Sequence, residues 1–206
     1  MKKLATLFAM SIVGLGTALA QGTIDFHNPN TFPVTVRDAA GNVTTIGTAA
    51  SPLGPASVRV GLFVGASGAG FSAMTMVGMV TNSPAGTPLF VGTFNGGTSF
   101  AVPGRLNGDQ VSFAFAAWSI STGALTYTDA LNPAINLGNG YVSPTPVIGN
   151  GYTLKGGATL PDATWGTPTA LQPWLVNGLE LRPVPEPSTI VLGLLGAAAL
   201  LLRRRK

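Results

Sequence analysis

The sequence predicts an all-β fold, an antiparallel β-sandwich of jelly-roll or Ig-like type. Three observations carry this expectation. Apolar residues in the central part alternate in short two-residue periods instead of recurring every 3.6 residues. Glycine and proline, 28 and 16 of 206 residues, cluster between those runs as turn punctuation. No ten-residue stretch of the centre has the pattern of an amphipathic helix. The central part, about 160 residues, is long enough to bury a core, and with no cysteine it must do so without disulfides.

The first element is a signal peptide over residues 1–20. Lys2 and Lys3 supply a positive start, Leu4 to Leu15 a mostly apolar stretch, and Ala18-Leu19-Ala20 a small-x-small site before Gln21. Signal peptidase is expected to cut after Ala20. Residues 21–160 are predicted as the β-sandwich domain. Ile24 and Phe26 alternate with Thr23, Asp25 and His27, and Val34 and Val36 alternate with Thr35 and Arg37. Val43 to Ile46 is a further short β-prone run. Val58, Val60, Leu62 and Val64 fall on one face of the strongest early strand, with Arg59, Gly61 and Phe63 on the other. Met74–Val80, Leu89–Phe94 and Ser99–Val102 follow as strands. Val111–Ile120 puts Val111, Phe113, Phe115 and Ala117 on one face and Trp118 on the other. Leu125–Thr128 is expected to pair back across Ser121-Thr122-Gly123 as a hairpin. Turn residues separate the runs, among them Ala40-Gly41-Asn42, Asn95-Gly96-Gly97 and Asn107-Gly108-Asp109. Asn132–Gly151 reads either as a long surface excursion or as a poorly ordered loop. Residues 161–183 are expected to hold a final strand within Trp174–Leu181, with a proline-rich neck over 182–187.

The last segment, 184–206, is the most specific. Val184-Pro185-Glu186-Pro187 precedes a predicted transmembrane helix over 188–202, and Arg203, Arg204, Arg205 and Lys206 end the chain. The uncharged run would be about 24 Å long as a helix, short for a hydrocarbon core of about 30 Å but sufficient if the arginines reach up to the headgroups. Basic residues beyond a span stay in the cytoplasm. The body before it is then exported, in agreement with the signal peptide. Pro185 and Pro187 keep their segment extended and unable to pair, a form that a protease-like groove can bind.

A Pro-Glu-Pro tripeptide, a short apolar span and a terminal arginine cluster together resemble the PEP-CTERM protein-sorting signal of Gram-negative bacteria. The resemblance implies recognition by an exosortase, a multi-pass membrane transpeptidase-like enzyme that would cut near Pro185-Glu186-Pro187 and leave the tail behind. More faintly, the runs Gln21–Phe26, Val58–Phe63 and Val111–Trp118 resemble exported PEP-CTERM proteins of environmental bacteria, a likeness that supplies no catalytic residue.

Charge and chemistry narrow the function of the centre. Six of the eleven basic residues sit at the two ends, so residues 21–187 hold five bases against seven acids. That body is slightly acidic, which argues against a nucleic-acid partner. Asp25 and His27 share a strand face, but no Gly-x-Ser-x-Gly elbow accompanies the single histidine. Asp38, Asp109, Asp129 and Asp162 lie mostly beside turn residues, where aspartate is favoured structurally. One histidine and no cysteine leave no zinc set, and no calcium-loop spacing occurs. We therefore expect no catalytic residues, metal or cofactor, and a structural or adhesive protein of the cell surface or extracellular matrix. Its partners would be signal peptidase, the exosortase and, through the C-terminal helix, the membrane. The alternative expectation is a polysaccharide-binding module that stacks sugars on Trp118, Trp165 and Trp174.

Overall fold

A computed structural model of the chain describes residues 21–29, 31–82, 91–132, 140–165, 175 and 178–184. Ten strands account for most of its regular structure: β1 (Gln21–Ile24), β2 (Thr35–Arg37), β3 (Val43–Thr45), β4 (Val58–Ala66), β5 (Thr75–Thr81), β6 (Phe100–Leu106), β7 (Gln110–Ser119), β8 (Tyr141–Val142), β9 (Val147–Thr153) and β10 (Glu180–Pro183). Two single 3-10 turns, Phe71–Ala73 and Ile120–Thr122, and one short helix, α1 (Tyr127–Leu131), complete the described elements. The signal peptide, the Pro185-Glu186-Pro187 motif, the span over 188–202 and the terminal basic cluster lie outside the described residues. Among the described residues, no helix is long and apolar enough to cross a membrane.

The all-β expectation is met by two sheets of unequal size. The larger has eight strands in the order β3-β2-β10-β8-β7-β4-β5, with β9 also paired to β7. The smaller is the ribbon β1-β6. Between the strands, pairing is antiparallel except for β10 and β2, which run parallel with Leu181 opposite Val36; Trp165 and Leu175 form a separate parallel bridge. The parallel strand pair departs from the expected all-antiparallel arrangement. It arises because the chain returns to β2 only after about 145 residues, by a long crossover that no hairpin turn could make.

β4 and β7 form the spine, paired without interruption from Val58↔Ser119 to Ala66↔Val111. Their alternation divides the core in two. Val111, Phe113, Phe115 and Ala117 join Val58, Val60, Leu62 and Val64 on one side, covered by Ile24, Phe26 and Val102 of the ribbon region. Ala114, Ala116 and Trp118 with Phe63 face the other side, covered by Ala124, Tyr127, Ala130 and Val184. The face assignment read from the sequence is the one observed. Gly61 lets the two strands pack this closely, since a Cβ there would lie 3.2 Å from the Trp118 ring.

Several expected elements differ. The hairpin at Leu125–Thr128 is replaced by α1, because the Thr126 side chain accepts a hydrogen bond from the Asp129 N–H and caps a helix start. Gly123, at φ 71°, closes the preceding 3-10 turn in the left-handed conformation. Asn132–Gly151 is no plain excursion, since it contributes β8 and the start of β9. In the neck, Arg182 and Pro183 pair with Val142 and Tyr141 of β8. The Val184 N–H donates to the Gly140 carbonyl at 2.9 Å, and the Val184 side chain is buried. The final strand is thus β10, at the late edge of the expected Trp174–Leu181 run. Residues 89 and 90 of the expected Leu89–Phe94 strand lie outside the described residues, and Phe94 forms only an isolated bridge with Asn82. Strand β6 runs past the expected Val102 to Leu106 and carries Pro103 on an edge, where its missing N–H costs no ladder bond.

Candidate functional site

Where the chain leaves the fold is set by the central strands. β10 is antiparallel to β8, and β8 is antiparallel to β7, so β10 and β7 point the same way. Trp118, Val142 and Arg182 stand at one level across the three strands. The C-terminal segment therefore departs from the same end of the sheet as the Ile120–Leu131 stretch that follows β7. Tyr141 N–H donates to Ser119 Oγ at 2.9 Å, which ties the level of Val184 to the end of β7. Gln21, expected as the first residue after the signal cut, opens β1, and its Nε2 donates to the Val102 carbonyl at 3.1 Å.

The Asp25–His27 pair is formed as the strand alternation implied. His27 Nδ1 and Asp25 Oδ1 make a short hydrogen bond, with the Asp25 side chain 6% exposed and the His27 side chain 33% exposed. The hydrogen bond that the ring donates to the Asp25 carboxylate raises the His27 pKa above its ordinary value, against the opposing effect of partial burial. Thr164 Oγ1 donates to the Asp25 carbonyl at 3.1 Å and fixes the same stretch of backbone. Ser119 and Ser121, which share a hydrogen bond at 2.8 Å, belong to the far end of β7. The dyad can hold a proton and orient an imidazole.

Four of the remaining carboxylates, Asp38, Asp109, Asp162 and Glu180, have structural partners. Asp38 accepts from the Asn42 backbone at 2.8 Å and from its side chain at 2.9 Å, closing the β2–β3 turn. Asp109 accepts from the Leu106 N–H at 2.9 Å in the β6–β7 turn. Asp162 lies 3.8 Å from Lys155 Nζ. Glu180 takes two hydrogen bonds from Arg37, at 3.0 and 2.9 Å, and one from Arg182 at 2.8 Å. The Arg37 bonds, with Arg182 adding to them, hold the Glu180 carboxyl below its ordinary range. Glu180 and Arg182 also line an open groove of about 540 Å³ with Pro144, Pro146 and Ile148. No aromatic side chain is among its lining residues, so it offers no stacking surface. Among the described residues, no group of three or more His, Cys, Asp or Glu could hold a metal ion.

Two of the three proposed sugar-stacking tryptophans, Trp118 and Trp165, are not surface platforms. Trp118 is fully buried, and its Nε1 donates to the Ala124 carbonyl at 3.1 Å. Trp165 is 4% exposed and stacks on Phe115 at 5.3 Å between ring centres, within a group that includes Phe94 and Phe32. Trp174 lies outside the described residues. Tyr127 and Tyr152 are buried too, with their hydroxyls donating to the carbonyls of Ser143 and Asp162. The physical reason is volume. Beside Trp118, β7 offers the small Ala114 and Ala116 and β4 offers Gly61, so large rings fill the space over this face. What sequence reasoning missed is the apolar surface at the chain exit: Ile120, Leu125 and Leu131 are 38%, 67% and 42% exposed. The signal for it was Thr126-Tyr127-Thr128-Asp129, whose Thr-x-x-Asp spacing marks a capped helix start.

A family model described as the PEP-CTERM protein-sorting motif matches residues 183–206. The match begins inside the fold, at the last residue of β10. No curated protein and no solved structure matches the chain. The chain therefore carries a PEP-CTERM sorting signal, as its C-terminal residues implied. Such signals are processed by exosortase, a membrane enzyme, and they mark exported proteins whose processing is membrane-associated.

Proposed function

We propose that this protein is a non-enzymatic structural or adhesive component of the cell surface or extracellular matrix, with a sandwich-like β body delivered by signal peptidase and then exosortase. The observation that carries this reading is the sorting motif at 183–206, continuous with a charge-poor β body. A structural role is further supported by the use made of polar residues. Asp38, Asp109 and Glu180 are engaged in turns and ion pairs, and the large aromatics are engaged in the core. The edge strand β5, Thr-Met-Val-Gly-Met-Val-Thr, has no charge and no proline to discourage pairing with another chain. The burial of Trp118 and Trp165 removes two of the three stacking residues on which the polysaccharide-binding alternative drew.

The test replaces Pro185, Glu186 and Pro187 by alanine in the native host. The changed chain should accumulate uncleaved in the membrane fraction, as seen by mass spectrometry of the C-terminus. Unaltered processing would overturn the sorting step. A deletion strain should in turn lose cell-to-cell or surface adhesion, and full retention of both would overturn the adhesive role.

A further inference from the structure

The exit of the chain neighbours the segment that carries three exposed apolar residues, since Val184 packs with Ala124, Tyr127 and Ala130. Val184 is buried at the end of β10, one level with the start of the Ile120–Thr122 turn and two strands away, about 10 Å at ordinary strand spacing. Four residue steps separate Val184 from Ser188, where the expected span begins. Whatever path they take, they reach at most about 14 Å. Crossing one headgroup layer uses about 5–8 Å of that reach. While the tail is anchored, this end of the sheet cannot leave the lipid surface.

Ile120 stands at this end, and Leu125 and Leu131 lie beside it on the segment whose Ala124, Tyr127 and Ala130 pack with Val184 over the sheet face; all three stay exposed. The charges of this end balance. Asp38, Asp129 and Glu180 stand against Arg37, Arg59 and Arg182, so anionic headgroups neither repel nor strongly attract it. The opposite end carries the β6–β7 turn, with Leu106 45% exposed. The ten residues of β7 hold the two ends about 30 Å apart.

We infer that the Ile120–Leu131 end of the sheet is a lipid-facing surface, seated on the bilayer while the C-terminal tail holds the protein and freed when the tail is cut. The inference rests on the tail serving as an anchor. Ile120, Leu125 and Leu131 insert at the headgroup boundary, as apolar side chains of peripheral proteins do. They orient the body so that the Pro185–Pro187 segment is held at the membrane plane, where a membrane enzyme works.

The chain has no cysteine, so single labels are easily placed. The full chain carrying Leu125→Cys or Leu106→Cys would be labelled with bimane and reconstituted into phosphatidylethanolamine–phosphatidylglycerol vesicles doped with doxyl lipid. With the two ends some 30 Å apart, quenching at position 125 should exceed that at 106 by at least about threefold. Ile120→Cys should behave like 125, and salt should change little. Equal quenching at 125 and 106, in protein that floats with the vesicles, would overturn the lipid-facing surface and leave the anchor reading intact. A chain lacking 188–206 should no longer float. If it still does, the tail is not what holds the protein, and the anchor reading and the release on cutting both fail.

Discussion

Trp118 illustrates how single side chains hold this body together. It is sealed between Gly61 of β4 and Tyr127 of α1, and its indole N–H has a carbonyl partner. Trp118→Ala removes a fully buried ring and should destabilise the fold by about 3–5 kcal/mol in urea titrations. An exposed sugar platform would instead leave stability within about 0.5 kcal/mol of wild type. His27 makes a smaller, pH-dependent contribution. Its folded pKa is raised by Asp25, so folding favours the protonated ring. That stabilisation is fully present below the unfolded value near 6.5 and is lost as pH rises through the higher folded value. A half-exposed pair of this kind is worth less than about 1 kcal/mol. The gap in urea midpoint between wild type and His27→Ala should therefore be wider at pH 5.5 than at pH 8.5. A gap that widens with rising pH would show that the ring folds neutral.

Among the elements, the spine strands were legible and the connections were not. β4 and β7 are near-continuous apolar runs, and burial on both sheet faces follows from that directly. β10 has only four residues and pairs with β2 at a separation of about 145 residues, which no local pattern encodes. In α1, a five-residue helix is too short to show a 3.6-residue period, and only its cap spells it out. Thr126→Ala should cost about 1 kcal/mol of stability, the usual value of a lost N-cap. The site calculus was similar. The Asp25–His27 pairing could be read from strand alternation, while the fate of the tryptophans depended on which faces the ribbon and α1 would cover. The β5 edge tests the adhesive reading at this scale. Met79 is 43% exposed on it, and Met79→Lys places a charge on an otherwise neutral strand. Self-association measured by sedimentation should weaken roughly tenfold, about 1.4 kcal/mol. Unchanged association would exclude β5 as the contact.

For the whole molecule, folding and sorting share a boundary at residues 183–184. The sequence divides there, with the sorting motif and its basic end on one side and a slightly acidic body on the other. The fold does not stop short of that division. β10 lies inside the strand order, between β2 and β8, so without it β3 and β2 lose their connection to the rest of the sheet. Leu179, Leu181 and Val184 are all buried. At about 1.5–3 kcal/mol per side chain, their loss comes to roughly 5–9 kcal/mol. Domains of this kind are stable by only about 5–15 kcal/mol in total. A body ending at Gly178 should therefore be largely unfolded by circular dichroism, whereas one ending at Val184 should unfold cooperatively with a β-rich spectrum. The sorting enzyme is held to the same limit, because a cut before Val184 would release an opened sheet. Mass spectrometry of the mature protein should find its C-terminus at Val184 or beyond. A mature, folded protein ending before Leu181 would show that β10 is dispensable and that the sheet closes without it.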